Sequence, residues 1–536
     1  MRRLFALVAL LAALALASSA EARTLFVIKG RGWGHGVGMS QWGAQGKALR
    51  GVGYAKILRF YYRPAAVGDG AKNKVRVLLV SGRSSVTISS SSSFTVGTKR
   101  LDGGKAYSVV PARAGKVRVV GVGRFDSPAT ASHGRDLLRL KGDRYRGSFR
   151  LWNRSGKIAV VNVVGMQGYL YSVVPREMPS SFELAALKAQ AVAARSYATR
   201  VRRESWFDLY ADTHDQVYGG YESGEPARAV AAVDRTNGKV MRYAGAVAQT
   251  FFSSSNGGYE AASIDTWGGA VDYLQARRDP DDLTPGNPNR SWVVVRTPRQ
   301  LRRELSLARR PSDARVSDRA SGRARAITVR RGSWSQTVTH SPTTSAFGSE
   351  YFRAALGVRS GRFWLGVQAI RAKRSNVRCG DPVRLRVFAH DVGSVSAQQR
   401  PSSGGSWTTI PLWRIDATHW RTTRHPCSSM DYRVVSARAN GPRIHVSVSP
   451  SVAFTASQQA DGLSGRVSPA AAGSLVTVER RVQRDWIPVT QAIVAVDGSF
   501  RAGFPVREGA YRAEVVPPLG SGLATGYSPS LTVVYR

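Results

Sequence analysis

The sequence predicts an α+β chain in which helix and strand mix over roughly the first two-thirds, followed by two all-β sandwich modules. Three observations carry this. Leu184, Leu187, Ala191, Ala194, Ala198 and Val201 form an apolar stripe of helical period among β-rich runs. From about residue 365 helical periodicity vanishes. Within that remainder Trp407, Trp420, Tyr432 and Arg433 recur as Trp486, Phe500, Tyr511 and Arg512, each 79 or 80 residues later.

In chain order, Leu25 to Ile28 reads as a strand and Gly30 to Gly38 as a glycine-rich loop unable to form regular helix. Tyr54, Ile57, Leu58 and Tyr61 fall on one face of a short helix ended by Pro64. The runs Val75 to Val80, Val117 to Val122 and Ile158 to Val164 are β-rich and separated by Gly and Ser clusters; Ser89 to Ser93 reads as a solvated turn. The clearest helix starts after Pro179, with Ser180 and Glu183 at capping-box spacing. A second runs from Pro226 to Asn237-Gly238. Val240 to Phe252 then predicts a hairpin turning at Ala244-Gly245, and Thr297-Pro298 with Gln300 opens an Arg-rich helix.

At 536 residues the chain is too long for one core. Its 78 Lys+Arg against 35 Asp+Glu give a formal charge of +43, a field that attracts polyanions. Arg2 and Arg3 followed by apolar Leu4 to Ala17 and by Ala20-Glu21-Ala22 read as a secretory signal over residues 1–22, cleaved after Ala22 or Ala20, the alternative being a retained N-terminal anchor. Export points the charge away from nucleic acid and toward anionic wall polymers. Cys379 and Cys427 exclude a multi-thiolate site and predict one disulfide. No two His stand at i, i+4, which excludes a zincin-like helix.

Three blocks resemble the SpoIID/LytB proteins of the bacterial cell wall. The first runs from Gly30 through Gly34-His35-Gly36-Val37-Gly38-Met39-Ser40-Gln41 to Ala44, with Tyr61-Tyr62. The second is Val173-Val174-Pro175-Arg176-Glu177-Met178-Pro179 with Ala186 to Ala198. The third joins Gln216-Val217-Tyr218-Gly219-Gly220 to Phe252-Ser253-Ser254-Ser255-Asn256-Gly257-Gly258, Trp267 and Tyr273-Leu274. The usual family order puts the first block after a segment like Phe352 to Gly357, so this chain reads as circularly permuted, a change tolerated where termini lie close together at the surface. Some members carry a Cys/His metal cluster near the third block; here Tyr210, His214 and Asp215 stand there without cysteine, so no metal or other cofactor is carried over.

The resemblance implies a secreted, wall-associated lytic transglycosylase acting on peptidoglycan glycan strands, or alternatively a glycan-binding enhancer of a wall amidase. It places the catalytic glutamate at Glu177. Such an enzyme needs one carboxylate, because muramic acid supplies its own C6 hydroxyl as nucleophile. Glu177 reads as part of a stiff loop between Pro175 and Pro179, where helix N-terminal amides and Arg176 favour the anion and desolvation favours the acid. His35, Ser40 and Gln41 on the glycine loop are candidates for binding a sugar or, for His35, orienting Glu177; satisfying backbone groups is the alternative. Gln190 and Arg195 bind glycan or serve internal hydrogen bonds, and Ser254, Ser255 and Asn256 resemble a tight turn at a sugar site. Trp33, Trp42 and Trp267 stack on sugars or pack internally. No GxSxG elbow surrounds the serines, which argues against a Ser-His-Asp hydrolase. Met166-Gln167-Gly168 stands where the family is usually more acidic. The expected division is 23–364 for the SpoIID-like domain (26–64 permuted segment, 74–140 β-rich subdomain, 141–364 catalytic core), then immunoglobulin-like modules at 365–440 and 441–536.

Overall fold

The computed structural model describes residues 23–339, 348–437, 439–456 and 461–534. The signal expected over residues 1–22 lies outside them. Strands dominate, as the glycine-punctuated, β-branched runs require.

Around the central helix the chain builds one large core. Helix α1 (Gln41–Leu49) starts at an Ser40 N-cap whose Oγ accepts from the Gly43 amide at 3.0 Å. Sequence periodicity missed it, because it is short and carries four small residues, Gly43, Ala44, Gly46 and Ala48, on a buried surface. Helix α2 (Tyr54–Tyr62) buries Ile57, Leu58, Tyr61 and Tyr62, the face its spacing predicted. Helix α3 (Met166–Glu177) buries Tyr169, Leu170, Val173 and Val174. Helix α4 (Leu184–Arg200) is buried on nearly every face, from Ala189 to Thr199 without interruption. Its alanines let α1, α2, α3 and α5 (Ala227–Asp234) approach closely, as a one-sided stripe would not require. Its N-cap is Glu183 without a side-chain capping bond, so the Ser180 capping box is not formed; the Gln45 amide oxygen accepts the Glu183 N–H at 2.8 Å instead.

The strand Lys74–Arg83 pairs with Lys157–Gly165, and Leu138–Leu140 pairs with both Val86–Ser90 and Asp143–Tyr145. The β-rich region therefore runs on past 140 to Gly165, and the division expected there falls inside its sheets. Ser90 belongs to a strand and is buried, so only part of the Ser89 to Ser93 run is turn. The hairpin at Ala244-Gly245 forms between Lys239–Tyr243 and Ala246–Val247, both turn residues having positive φ. Thr297 and Gln300 make the reciprocal capping box of the Pro298–Glu304 helix.

The N-terminal strand Arg23–Gly30 lies between Trp292–Arg296 and Phe363–Ala372, antiparallel to both, with Gly30 opposite Phe363. Phe363–Ala372 also pairs with Val383–His390 of the next module. A boundary at 364/365 thus cuts a ten-residue strand. A boundary at 440/441 cuts another, Asn440–Ser449, which pairs with Met430–Ser436 and Asn376–Arg378. The break comes after Ser449 instead, beside Pro450. Each C-terminal module packs two sheets, the first around Ile370, Leu385, Tyr432 and Val446, the second around Val467, Val476, Phe500 and Val515. The internal repeat has a physical counterpart. Arg433 stands 4.2 Å over the Trp407 ring and Arg512 4.6 Å over Trp486, while Tyr432 and Tyr511 are both buried.

Cys379 and Cys427, 48 residues apart, are disulfide-bonded. In the chain-entropy model a loop of that length adds about 4 kcal/mol to stability. Reduction, or Cys379→Ser, is expected to lower the melting temperature of the first module while the helical core keeps its own transition. A calorimetric scan that shows no change on reduction contradicts this.

Candidate functional site

Glu177 ends α3, with Pro175 inside the last turn and Met178 extended beyond it. This corrects the loop reading. The side chain sits at a helix C-terminus, where the backbone dipole disfavours an anion, and not among N-terminal amides. Its Oε1 accepts the Val217 N–H at 2.8 Å, and the Gln41 side chain also donates to it. Desolvation outweighs both donors and holds the carboxyl above the usual glutamate range.

The Val217 amide is held in place by its neighbours. The Tyr169 hydroxyl donates to Gln216 Oε1 at 2.8 Å, and Gln216 Nε2 donates to the Ala194 carbonyl of α4 at 3.3 Å. Tyr218 donates to Asn162 Oδ1 at 2.6 Å, and the Gly219 N–H donates to Ser172 Oγ at 3.2 Å. A Cβ on Gly219 would stand 2.5 Å from Arg176 Nε, so a side chain there would displace Arg176. Nearby Asp215 is fully engaged: Tyr197, Arg203 and the Tyr210 amide all donate to it. Glu177, by contrast, accepts from the Val217 amide and the Gln41 side chain.

The glycine loop reaches the same core. At Gly38, φ is +70° and a Cβ would meet the Phe251 carbonyl at 2.1 Å; at Gly36 it would meet the buried Arg323 guanidinium at 1.8 Å. The close approach is to other segments of this chain. The loop exchanges backbone bonds between Trp33 and Ser255, and Met39-Ser40 pairs in parallel with Phe252-Ser253. It ends by presenting Gln41 to Glu177.

A model of the stage II sporulation protein family, SpoIID, matches residues 154–243, the stretch that holds Glu177, α4 and the Val217 loop. Over 132 residues the chain is 41% identical to the amidase enhancer of Bacillus subtilis, covering 25% of this chain. Residues 154–243 form a SpoIID-type segment. The chain is also 32% identical over 141 residues to stage II sporulation protein D of the same organism and 36% identical over 143 residues to an uncharacterized protein of Brachyspira hyodysenteriae, covering 23% and 26% of this chain. The chain spans 17% of the amidase enhancer's length and about 40% of each of the other two.

The other candidates, inside and outside the SpoIID-type segment, separate into distinct environments. Ser40, Ser255 and Asn256 converge on two buried aspartates that sequence reading missed. Asp282 accepts from Ser40 Oγ at 2.5 Å, Ser255 Oγ at 2.8 Å, the Asn256 N–H at 3.1 Å and the Gly258 N–H at 3.0 Å. Asp279 accepts from Lys47 Nζ at 2.6 Å, Tyr61 at 2.7 Å and Asn256 Nδ2 at 2.8 Å. These three residues serve an internal network and are not free to hold a sugar. The signal was Asp279-Pro280-Asp281-Asp282, three carboxylates together in a chain short of acids. Ser254 is partly buried and gives its carbonyl to the Trp42 N–H at 3.0 Å.

Arg195 is wholly buried. It bonds the Val233 and Lys239 carbonyls at 3.1 Å and Gln167 Oε1 at 3.2 Å, so it locks α4 to α5 and is no glycan ligand. Gln167 gives Arg195 a neutral acceptor. Gln190 is also fully buried, away from solvent. His35 accepts the Val37 N–H on Nδ1 at 3.0 Å and donates to the Phe252 backbone, which uses both ring nitrogens. Desolvation pushes it down to about 4. It is a clamp within the loop, packed 5.3 Å from the Trp267 ring. Trp33 and Trp267 keep exposed faces, 52% and 38%, while Trp42 packs on Phe182.

Two outcomes follow. Asp282→Ala strands buried hydroxyl and amide donors and is expected to cost about 3 kcal/mol or more, read by chemical denaturation against Ser254→Ala, expected near neutral. Because His35 binds a proton more weakly folded than unfolded, the unfolded chain takes up more protons between pH 6.5 and about 4. Its contribution to stability is complete above 6.5 and lost as pH falls through that window; an imidazole NMR titration with a midpoint near 6.5 contradicts the assignment.

Proposed function

We propose that this chain is a secreted, wall-associated enzyme that cleaves peptidoglycan glycan strands without water, with Glu177 as both acid and base. The observation that carries this reading is the Glu177 carboxyl, positioned by the Val217 amide and the Gln41 side chain in surroundings that favour its protonated form. As an acid it donates its proton to the glycosidic oxygen of the departing glucosamine while the C1–O bond breaks. The carboxylate then takes the proton of the muramic C6 hydroxyl as that oxygen bonds to C1, leaving a 1,6-anhydro end. The engagement of Asp215 by three donors fits a one-carboxylate reaction. Pairing of Arg23–Gly30 with Phe363–Ala372 supports reading the glycine block as a permuted part of the same domain, with the new N-terminus entering where the family's segment would have continued.

A second reading, a glycan-binding enhancer of a wall amidase, is favoured by the 41% identity to a protein named amidase enhancer. Purified protein incubated with intact and peptide-stripped strands separates the two: anhydro-muramic products by mass analysis support the enzyme, and stimulation of an added amidase without such products supports the enhancer.

Glu177→Gln is expected to keep fold and glycan binding and to lower release of anhydro ends by at least about a hundredfold. For the wild type, activity should fall as pH rises through the elevated Glu177 pKa, since the acid form starts the reaction. Gln41→Leu removes a donor to the carboxylate, raises that pKa further and should move the basic limb of the pH–rate profile upward. A limb that stays in place, or moves down, contradicts the pairing of Gln41 with Glu177.

A further inference from the structure

A second surface stands apart from Glu177. A cavity of about 530 Å³ opens where the start of Arg23–Gly30, the Pro298–Glu304 helix, the 310–312 turn and Pro442-Arg443 of the first C-terminal module meet. A shallower hollow of about 740 Å³ adjoins it and shares Arg310 and Arg331. Between them they are lined by Arg23, Arg299, Arg302, Arg309, Arg310 and Arg331, all exposed, and by no carboxylate. Arg443 completes the rim, 3.5 Å from Asp431. The acids at its margins are already committed, Glu304 to Arg296 at 2.8 Å and Asp313 to His390 at 2.6 Å. Six like charges converge, and among the described residues lining the two hollows there is no carboxylate to face them.

We infer that this arginine groove binds a linear phosphodiester polymer of the polyol-phosphate type. Guanidinium forks pair two-pronged with phosphate oxygens, and a run of them across 740 and 530 Å³ hollows suits a repeating anion better than a single small one. The rest of the lining is Thr, Leu, Pro, Ser, Ala and Gly. Without an aromatic side chain there is no platform for base stacking, which separates the groove from single-stranded nucleic-acid channels. It reads backbone charge alone.

The test is binding of poly(glycerol phosphate) to the whole chain at several salt concentrations. Affinity should fall linearly in log–log form with salt, as expected when phosphate contacts release counterions. The variant R299Q/R309Q/R310Q/R331Q should bind at least about tenfold more weakly with a shallower salt slope. A control that removes the same charge elsewhere, R113Q/R118Q/R124Q/R135Q, should lose less than about threefold. The single changes R309Q and R310Q, both at exposed positions, give the same comparison if the quadruple variant folds poorly. Equal loss in groove and control variants overturns the site, as does no binding at low salt. Tighter binding of single-stranded DNA of equal phosphate count overturns the polymer class, and equal binding of polygalacturonate overturns phosphate recognition. Glu177→Gln should leave the affinity unchanged, so that failure here and failure of the glycan-cleaving reading are told apart.

Discussion

The buried Asp282 carboxylate holds this architecture together. Four donors from two distant parts of the chain, Ser40 on one side and Ser255, Asn256 and Gly258 on the other, point at its two oxygens. Asp279 beside it draws in Lys47 and Tyr61 from α1 and α2. Burial raises the Asp282 pKa, so its donors offset a large desolvation cost. The glycine loop can close on the 251–258 segment only because those donors are satisfied, and α1 begins where the loop ends. Gln41 reaches Glu177 through that chain of dependence.

Glu177 is built on the opposite principle. Asp282 is saturated with donors, whereas Glu177 receives the Val217 amide and Gln41 and is otherwise left to a desolvating wall at a helix C-terminus. The contrast is a difference in use. Burial raises the pKa of both carboxyls; Asp282 is fixed in place by four donors, while Glu177 accepts from the Val217 amide and Gln41. Around it, Gln216 is held by the Tyr169 hydroxyl and the Ala194 carbonyl and Tyr218 by Asn162, so the Val217 amide between them arrives at a fixed position.

Much of this was legible in the chain. Periodicity located α2 and α4, turn chemistry located the Ala244-Gly245 hairpin, and the 79-residue offset marked two modules whose Trp and Arg pairs do meet. Glu177 and Gln41 were singled out by the motif they sit in. Their geometry was not, because Pro175 reads as a helix breaker, yet it lies inside the last turn of α3, beyond which the Met178 N–H still bonds the Val174 carbonyl at 3.0 Å. Ser40, Ser255, Asn256, Arg195 and His35 carry polar groups in motif positions, and sequence does not distinguish a polar group that faces a ligand from one that faces a buried partner 27 or 242 residues away. The domain limits at 364 and 440 fell on composition changes, while hydrogen bonding carried the strands across both.

That continuity has a mechanical meaning. Phe363–Ala372 is at once a neighbour of the N-terminal strand and of Val383–His390, so the first β module joins the preceding core through continuous paired strand. A load applied to that module passes along paired backbone into the strand whose far end begins the glycine loop. Anything that grips the module also sets the heading of the helices behind it. The disulfide between Cys379 and Cys427 stiffens the same module, closing a 48-residue span just beyond the shared strand. Such a body behaves as a lever, and the heading of its helical core is decided by where its far arm is held.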